Sequence, residues 1–587
     1  MRRPGAGRLL SNNPHRGADP SVIDAGRLGL FLGKEGSEQM SKKIVIVGGG
    51  SSGWMAASYL AKALPNLESI TVVESERIGT IGVGEATFST LKLFFDFLGL
   101  QEPDWMPHCS AAYKLAIRFV NWRSVEGHFY HPFQRFDMAS GVSAGDWWLK
   151  LGNAEQQPFD HACFTIPALC DAKRSPRHLD GSVFDEKVAA YFNDSGTPPN
   201  KKLSGHGVQY PYGYHFNASE LAQFLQGYAV DRGAQRVVDD VIEVPLREDG
   251  SIAGVRTKAH GLIEGDLFID CTGFAGVLIN KTLGEPFISF NDTLLNDRAV
   301  AIQVPRDIER DGMNPYTTAH AHNAGWSWNI PLYGRDGTGY VYSSQFIDQE
   351  EAEREFRAFL GPAADNCTAN HLKMRIGRSR NSWVKNCVAI GLASGFVEPL
   401  ESTGIFFIQH NIEQLVEHFP RSNEFDQNLV RSFNKSVAEC IDGVREFLTI
   451  HYVASDRTDT PYWQATKQVP VPAALEERLR LWKSRLPTSR SIYPLYHGFE
   501  AYSWVVMLLG LGHAPASSLP MLDHIDPTEA NAMFKSIQQQ TARLLQTLPS
   551  QYEYLTHMRA ALKGEHALAN RQRRSSRPGA LALKSQG

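Results

Sequence analysis

The pattern of hydrophobic and polar positions predicts a βαβ unit that opens near Ile44. The apolar run Lys43 to Val47 is typical of a buried strand, and a helical pattern follows it from Trp54 to Leu64. A second apolar run, Ser69 to Val73, predicts the next strand, which ends in Glu74. Strand, helix and strand in this order predict a parallel α/β sheet.

Further elements are predicted along the rest of the chain. Alternation of apolar and polar side chains predicts one strand at Tyr113 to Val120, and two short apolar runs predict buried strands. From about Asp456 onward the pattern is mostly helical. The buried strands are Leu267 to Asp270 and Cys387 to Ile390, and the clearest helices are Thr403 to Phe419, Glu476 to Trp482 and Glu529 to Leu548.

This layout predicts four segments. Residues 1–39 precede Met40 and are rich in Gly, Arg, Ser and Asn, so we interpret them as a disordered or mis-annotated leader. Residues 40–455 are predicted to form the α/β module with a large insertion, and residues 456–560 a helical substrate-capping region. Residues 561–587 are predicted to be a flexible basic tail.

The composition narrows the function classes. The formal net charge of −4 gives no electrostatic reason to expect nucleic acid or a membrane as a partner. No apolar run reaches the roughly 18 to 20 residues that span a bilayer. The seven cysteines are odd in number and form no CxxC pair, which argues against a disulfide framework or a metal site and favours a reducing, cytoplasmic location.

A glycine-rich turn connects the first strand to the first helix. Glycines there let the turn close and let the backbone approach a pyrophosphate, whose charge meets the helix N-terminus. An acid about 20 residues further on, at a strand end, is placed to bind ribose hydroxyls. The sequence therefore predicts a dinucleotide site formed by Gly48, Gly50, Ser51, Ser52, Gly53 and Glu74.

Two later strands favour FAD over NAD as the dinucleotide. Asp266 to Gly273 is an apolar strand that ends in a Thr-Gly turn, and Asn386 to Ser394 is another that runs into small residues. Both fit a glutathione-reductase-type FAD-binding fold. Because no second GxGxxG strand–helix unit is visible, we expect the flavin to be reduced by another protein.

Four further motifs, taken together, resemble the flavin-dependent tryptophan halogenases. They are Gly82-Val-Gly-Glu-Ala-Thr87, Lys114 within Ala111 to Val120, Gly325-Trp-Ser-Trp-Asn-Ile-Pro331 and Phe396-Val-Glu-Pro-Leu-Glu-Ser-Thr-Gly404. The WxWxIP stretch is that family's distinguishing motif. Within the family, Phe129 to Phe133 and Tyr496 to Trp504 look most like the tryptophan 5-halogenase branch.

The resemblance implies an activity and its cofactors. It implies an oxidoreductase that takes FAD as FADH₂ from a partner flavin reductase and uses O₂ to turn chloride or bromide into a hypohalous acid. This oxidant would halogenate L-tryptophan, with C5 of the indole as the expected position. The resemblance also assigns a glycine strap to FAD, namely Gly82, Val83, Gly84, Glu85 and Ala86.

Two residues match the family's catalytic pair. Lys114 matches the lysine that holds the oxidant, either through a hydrogen bond or as a haloamine, and burial would lower its pKa. Glu401 matches the carboxylate that polarises the oxidant or takes the ring proton. A solvated strand face is the alternative for Lys114. For Glu401 to Gly404, the alternatives are a halide site on the N–H groups of Thr403 and Gly404, or simple N-capping by Ser402 or Thr403.

Aromatic residues supply the expected substrate pocket. Trp326 and Trp328 share one strand face, and the resemblance implies that they separate flavin from substrate. Glu398 is expected to be structural. Ordinary aromatic core is the alternative for all of these rings. By match to the 5-halogenase branch, the pocket candidates are Phe88, His131, Phe133, Phe499 and Tyr502, with Gln209 and Glu500 for the amino-acid end of the substrate.

Other functions stay open from the sequence. A flavin monooxygenase would hydroxylate an aromatic substrate but has no need for a remote lysine, and a non-enzymatic flavin sensor would not explain Lys114 with Glu401. A halogenase of an indole within a peptide or natural product is a third alternative. The assembly state, monomer or homodimer, is not determined.

Overall fold

The computed structural model describes residues 42–77, 84–152, 157–193, 210–421, 424–492 and 498–562. The leader, the strap residues Gly82 and Val83, the pocket candidate Gln209 and nearly all of the basic tail lie outside these ranges. Their predicted roles therefore stay predictions.

The strands of the described residues fall into several sheets. In chain order they are β1 Lys43–Val47, β2 Ser69–Glu74, β3 Glu85–Ala86, β4 Ala112–Lys114, β5 Ala116–Val120, β6 His128–Pro132, β7 Met138–Ala139, β8 Val142–Ser143, β9 Gly213–Phe216, β10 Gln235–Val238, β11 Val241–Glu243, β12 Gly254–Thr257, β13 Gly261–Glu264, β14 Leu267–Asp270, β15 Phe287–Ser289, β16 Arg298–Pro305, β17 Tyr316–Ala321, β18 Gly325–Leu332, β19 Arg335–Tyr342, β20 Ala369–Lys373, β21 Gly377–Ser379, β22 Trp383–Val384, β23 Cys387–Ala389 and β24 Gly395–Phe396.

Helices cover the sheets and make up most of the C-terminal part. In chain order they are α1 Ser51–Ala63, α2 Leu91–Leu98, α3 Glu102–Trp105, α4 Ala144–Lys150, α5 Phe159–Cys163, α6 Ile166–Asp171, α7 Glu186–Asn193, α8 Ala218–Val230, α9 Ile308–Asp311, α10 Gln349–Leu360, α11 Gly404–Glu417, α12 Gln427–Val453, α13 Pro461–Ala465, α14 Ala473–Trp482, α15 Ser489–Ile492, α16 Ala501–Gly510 and α17 Thr528–Thr547.

The first sheet is the predicted α/β core. Its order is β10-β2-β1-β14-β23-β22. The strands β10, β2, β1, β14 and β23 run parallel, and β22 adds an antiparallel edge. The central strands are buried over nearly their whole length because helices cover the sheet. The predicted strands at residues 43–47, 69–73, 267–270 and 387–390 are confirmed.

A second, seven-stranded sheet has the order β20-β16-β19-β18-β17-β5-β6. Beside it lies a small sheet of β3, β9 and β4. The prediction of one continuous strand from Tyr113 to Val120 is wrong. Leu115 breaks it, because its N–H bonds to Pro315 O, so Lys114 belongs to the small sheet and Ala116 to the large one.

The C-terminal helices pack against the sheets. The predicted helices at 403–419, 476–482 and 529–548 are confirmed as α11, α14 and α17, each within a few residues of the expected ends. Buried side chains from α1, α11, α12 and α16 join one hydrophobic core with the strands. Among the described residues, no helix is both long and apolar enough to cross a lipid bilayer.

Candidate active site

The glycine turn between β1 and α1 has the backbone expected of a pyrophosphate site. Gly48 has a φ of 112°, which favours glycine. A Cβ on Gly53 would collide with Gly48 O, whereas a Cβ on Gly50 would meet only open space. Gly50 is the N-cap of α1 and has no side chain that could cap the helix. The first backbone N–H groups of α1 are therefore left for a ligand. This open cradle fits the phosphates of FAD.

Glu74 lies against this turn, as predicted for the ribose-binding acid. Its Oε2 accepts a hydrogen bond from Trp54 Nε1 at 3.1 Å, and a Cβ on Gly49 would collide with its carboxylate. Arg236 also pairs with Glu74. Ion pairing to an arginine from β10 was not predicted, since nothing in the local sequence links the two residues.

The described part of the glycine strap runs from Gly84, with a φ of 88°, into β3. Burial raises the pKa of Glu85 to about 7. Strand β3 pairs with β9, and β9 pairs with β4, which carries Lys114. The strap and Lys114 are therefore held by one small sheet.

Lys114 is fully buried, so the alternative of a solvated strand face is wrong. Its Nζ donates to Ser402 Oγ at 2.8 Å and to Thr87 O at 3.4 Å, and it lies 5.0 Å from the ring centre of Phe133. Burial lowers the pKa of Lys114 to about 7, against an opposing effect of Glu401. A substantial fraction of the amine is thus neutral near pH 7.

Glu401 is buried between two histidines. His131 Nδ1 lies 3.1 Å from both carboxylate oxygens, and His451 Nε2 lies 2.8 Å from Oε1. Burial alone would raise the pKa of Glu401, but the two histidines hold it at about 2. The carboxylate is therefore ionised within a site closed to solvent.

Helix α11 begins directly after this carboxylate. Thr403 is its N-cap residue, yet neither Thr403 nor Ser402 makes a side-chain capping bond. Ser402, with a left-handed φ of 63°, instead accepts from Lys114. Thr403 Oγ1 is buried with no hydrogen-bond partner in the described part of the chain, and a Cβ on Gly404 would meet only open space. The simple N-capping alternative is wrong, and the helix N-terminus is open to an anion.

Phenylalanine rings form a wall next to Lys114. Phe88 packs against Phe133, Phe406 and Phe499 at centroid distances of 6.5, 5.0 and 5.1 Å. Phe499 stacks on Phe447 at 3.8 Å. The structure thus brings the predicted residues Phe88, Phe133 and Phe499 together.

Two other pocket candidates, Tyr502 and Glu500, are more exposed to solvent than the phenylalanine wall. Tyr502 is partly exposed and its ring lies 6.1 Å from that of His131. Glu500 is half-exposed and paired with Arg135 through a 2.7 Å hydrogen bond. The amino-acid end of a substrate would therefore meet an existing ion pair rather than a free carboxylate.

Trp326 and Trp328 lie on β18 with their rings 6.3 Å apart, as the alternation predicts. Trp326 Nε1 donates to Glu398 Oε2 at 2.8 Å, and Asn296 and Tyr452 donate to the same oxygen. These contacts agree with a structural role for Glu398.

Sequence reasoning missed several residues of this site. Ser402 was considered only as a cap, and Phe406, Phe447 and His451 were not considered. Their helical positions gave no signal, because an apolar residue or a histidine on a helix is most often core.

Comparisons with known proteins identify the family. The tryptophan halogenase family profile matches residues 43–527. The chain belongs to the tryptophan halogenase family. This halogenase is an FADH₂-dependent oxidoreductase with a halide as co-substrate, and its α/β core is the FAD-binding fold.

Relatives align with almost the whole halogenase. The 7-chloro-L-tryptophan 6-halogenase KtzR of Kutzneria sp. strain 744 is 54% identical, over 88% of this chain and 99% of the relative. The tryptophan 6-halogenase SttH of Streptomyces toxytricini is 53% identical, over 88% and 98%, and its crystal structure gives a TM-score of 0.83. The tryptophan C-6 halogenase Tar14 from taromycin biosynthesis is 51% identical, over 88% and 100%, with a TM-score of 0.83.

These names do not support the expected similarity to 5-halogenases. Three relatives that share more than half of their residues with this chain are named for C6 of the indole. The C5 expectation relied on two short aromatic motifs, Phe129 to Phe133 and Tyr496 to Trp504. Such motifs form the pocket wall in general, whereas the position attacked depends on small differences in how the ring is held.

Proposed function

We propose that this halogenase replaces one hydrogen of the indole ring of free L-tryptophan by chlorine or bromine, at C6. The observation that carries the proposal is the buried amine of Lys114 between Ser402 and the ring of Phe133. The C6 position is supported by the names of three relatives that are more than half identical to this chain.

The cofactor supplies the oxidising power. Bound FADH₂, delivered by a separate flavin reductase, would react with O₂ and halide to give hypohalous acid. Gly48, Gly50, Ser51, Ser52, Gly53 and Glu74 would hold the FAD, with Gly84, Glu85 and Ala86 of the strap. Trp326 and Trp328 would keep this site apart from the indole.

The chain's own residues then direct the halogen. Thr403 and Gly404 would hold the halide at the N-terminus of α11. Lys114 would hold the hypohalous acid beside the ring. Its neutral amine is available for this because burial lowers the pKa of Lys114 to about 7. Phe88, His131, Phe133, Phe499 and Tyr502 would hold the indole plane, and Glu401 would exchange protons with the reacting groups.

The deciding experiment is mass spectrometry of products. The protein is incubated with FAD, a flavin reductase, NADH, O₂, chloride and L-tryptophan. We expect tryptophan with one chlorine in place of one hydrogen, recognised by its two-isotope pattern, and ring NMR should place the chlorine at C6. Unchanged tryptophan would move the proposal to a larger indole substrate, and a product heavier by one oxygen would indicate a monooxygenase.

A further inference from the structure

The two histidines that contact Glu401 differ in the bonds of their second ring nitrogen. His451 Nδ1 lies 2.9 Å from Phe447 O, one helical turn earlier on α12. His131 Nε2 is buried and has no hydrogen-bond partner in the described part of the chain. This difference determines how many protons each ring must carry.

Either His451 carries a proton on both ring nitrogens, or Glu401 carries a proton on its carboxyl group. A backbone carbonyl only accepts, so Nδ1 of His451 carries a proton that bonds to Phe447 O. The contact of 2.8 Å between Nε2 and Glu401 Oε1 then requires a second proton between these atoms. His131 needs only one, on the Nδ1 that faces Glu401. Hence Glu401 and His451 share one proton in the resting site.

This shared proton is isolated from solvent. The side chains of His451 and Glu401 are 0% and 1% exposed. Rings surround His451, with those of Phe447, Phe119 and Trp122 at 5.1, 5.3 and 6.2 Å. A proton that leaves the pair during the reaction must therefore be replaced from inside the site.

The chemistry of ring halogenation matches this need. Hypohalous acid and the indole give halo-indole and water, so the leaving oxygen takes up one proton and the ring carbon loses one. Building on the proposed function, we propose that His451 is a positioning residue that stores one proton for Glu401, which thereby acts first as an acid and then as a base.

The step balances within the pair. A ring π pair forms the carbon–halogen bond while the halogen–oxygen bond breaks and its electrons leave with oxygen. The shared proton passes through Glu401 to this oxygen, which departs as water. The ring carbon–hydrogen bond then breaks, its electrons restore the aromatic ring, and Glu401 takes the proton back to the position shared with His451.

The test is His451→Gln in the full chain, supplied with FAD, reductase, chloride and tryptophan. Glutamine can still donate an N–H to Glu401 but carries no transferable proton or charge. We expect kcat to fall by about 100-fold while KM for tryptophan stays within about threefold.

Two further variants make the result specific. His418→Gln is the matched control, because His418 also bonds its Nδ1 to the carbonyl of the preceding helical turn but its Nε2 contacts Ser432 rather than Glu401. It should keep wild-type kcat. In the double variant with Glu401→Gln, kcat should be no lower than in Glu401→Gln alone, because residues that act as one unit are not additive.

A measurement on the wild type is independent of how His451→Gln folds. In ¹⁵N-histidine-labelled protein we expect a histidine with protons on both ring nitrogens whose signal Glu401→Gln removes. A second such signal, from His161, should persist in that variant, because the two ring nitrogens of His161 face Asp160 and Asp171. Absence of a doubly protonated histidine that Glu401→Gln removes, or a His451→Gln variant with wild-type kcat, would overturn the proton store alone. Wild-type protein that makes no halogenated tryptophan would instead overturn the proposed function.

Discussion

Lys114 is buried at a cost in folding free energy, because the unfolded chain solvates its ammonium group and the site does not. Its folded pKa of about 7 lies below the ordinary value of 10.5. Between these values the unfolded state binds more protons than the folded state, so this residue destabilises the protein most at low pH and less as pH rises. Such a penalty is typical of a side chain kept for function.

Replacing Lys114 by Met should therefore separate activity from stability. We expect Lys114→Met to yield no halogenated tryptophan while it still binds FAD. Its melting temperature should exceed that of the wild type, by more at pH 6 than at pH 9, since the wild-type penalty shrinks with pH. Product analysis and thermal melts at both pH values check this. Retained product would remove Lys114 from the mechanism, and an unchanged melting temperature would contradict its burial cost.

The start of helix α11 is the element that we assign to the halide. Thr403 Oγ1 is buried without a partner in the described residues, next to backbone N–H groups that no side chain caps. Thr403→Val keeps the shape but removes one donor. A hydrogen bond to a charged group is worth about 1.5–3 kcal/mol, so KM for chloride should rise by about 10- to 100-fold.

Steady-state assays at varied chloride and varied tryptophan test this assignment. KM for tryptophan should stay unchanged in Thr403→Val, because the hydroxyl faces the helix N-terminus. An equal rise in both KM values would indicate a general disturbance of the pocket, and unchanged chloride dependence would place the halide elsewhere.

The turn between β1 and α1 offers a matched pair of glycine variants. Gly50 has a φ of −77°, which alanine adopts readily, and its Cβ would point into open space. Gly50→Ala should fold and melt like the wild type but weaken FAD binding about tenfold or more, because the methyl group enters the pyrophosphate cradle. Gly53→Ala should lower the melting temperature even without FAD, since its Cβ collides with Gly48 O. Calorimetric FAD titration and apo-protein melts distinguish the two effects; normal FAD affinity in Gly50→Ala would contradict the site.

At the scale of the whole molecule, the substrate wall joins distant parts of the chain. Phe499 contacts Phe447 of α12 and Phe88 near the strap. Phe499→Ala should lower stability by about 3–5 kcal/mol and raise KM for tryptophan, because a buried ring leaves a cavity. Phe359 is 48% exposed and remote from this wall, packing on His320 and His322, so Phe359→Ala should cost much less stability and leave KM for tryptophan unchanged. Denaturant unfolding and kinetics provide the comparison, and equal effects of both variants would argue against a pocket role for Phe499.

Several features were predictable because they depend on local sequence. The βαβ unit follows from short apolar runs around a glycine turn. The choice of Lys114 as a candidate follows from the family resemblance of several short motifs, whereas its burial was left open and is seen only in the structure. The comparisons do not support the C5 expectation, which relied on pocket motifs that describe the type of wall and not the orientation of the ring. His131 was predicted as pocket, but its bond to Glu401 was not, since they lie 270 residues apart.

The sequence by itself determined the family, and it singled out the glycine turn, Lys114 and Glu401 as site candidates, because each resides in a short motif whose geometry is local. Only the tertiary structure decided that the strand is interrupted at Leu115. Lys114 therefore lies outside the large sheet and bonds to Ser402, 288 residues further on. It also placed His451 against Glu401. Such contacts depend on how sheets and helices pack, and hydrophobic periodicity specifies which face is buried but not which residue it meets.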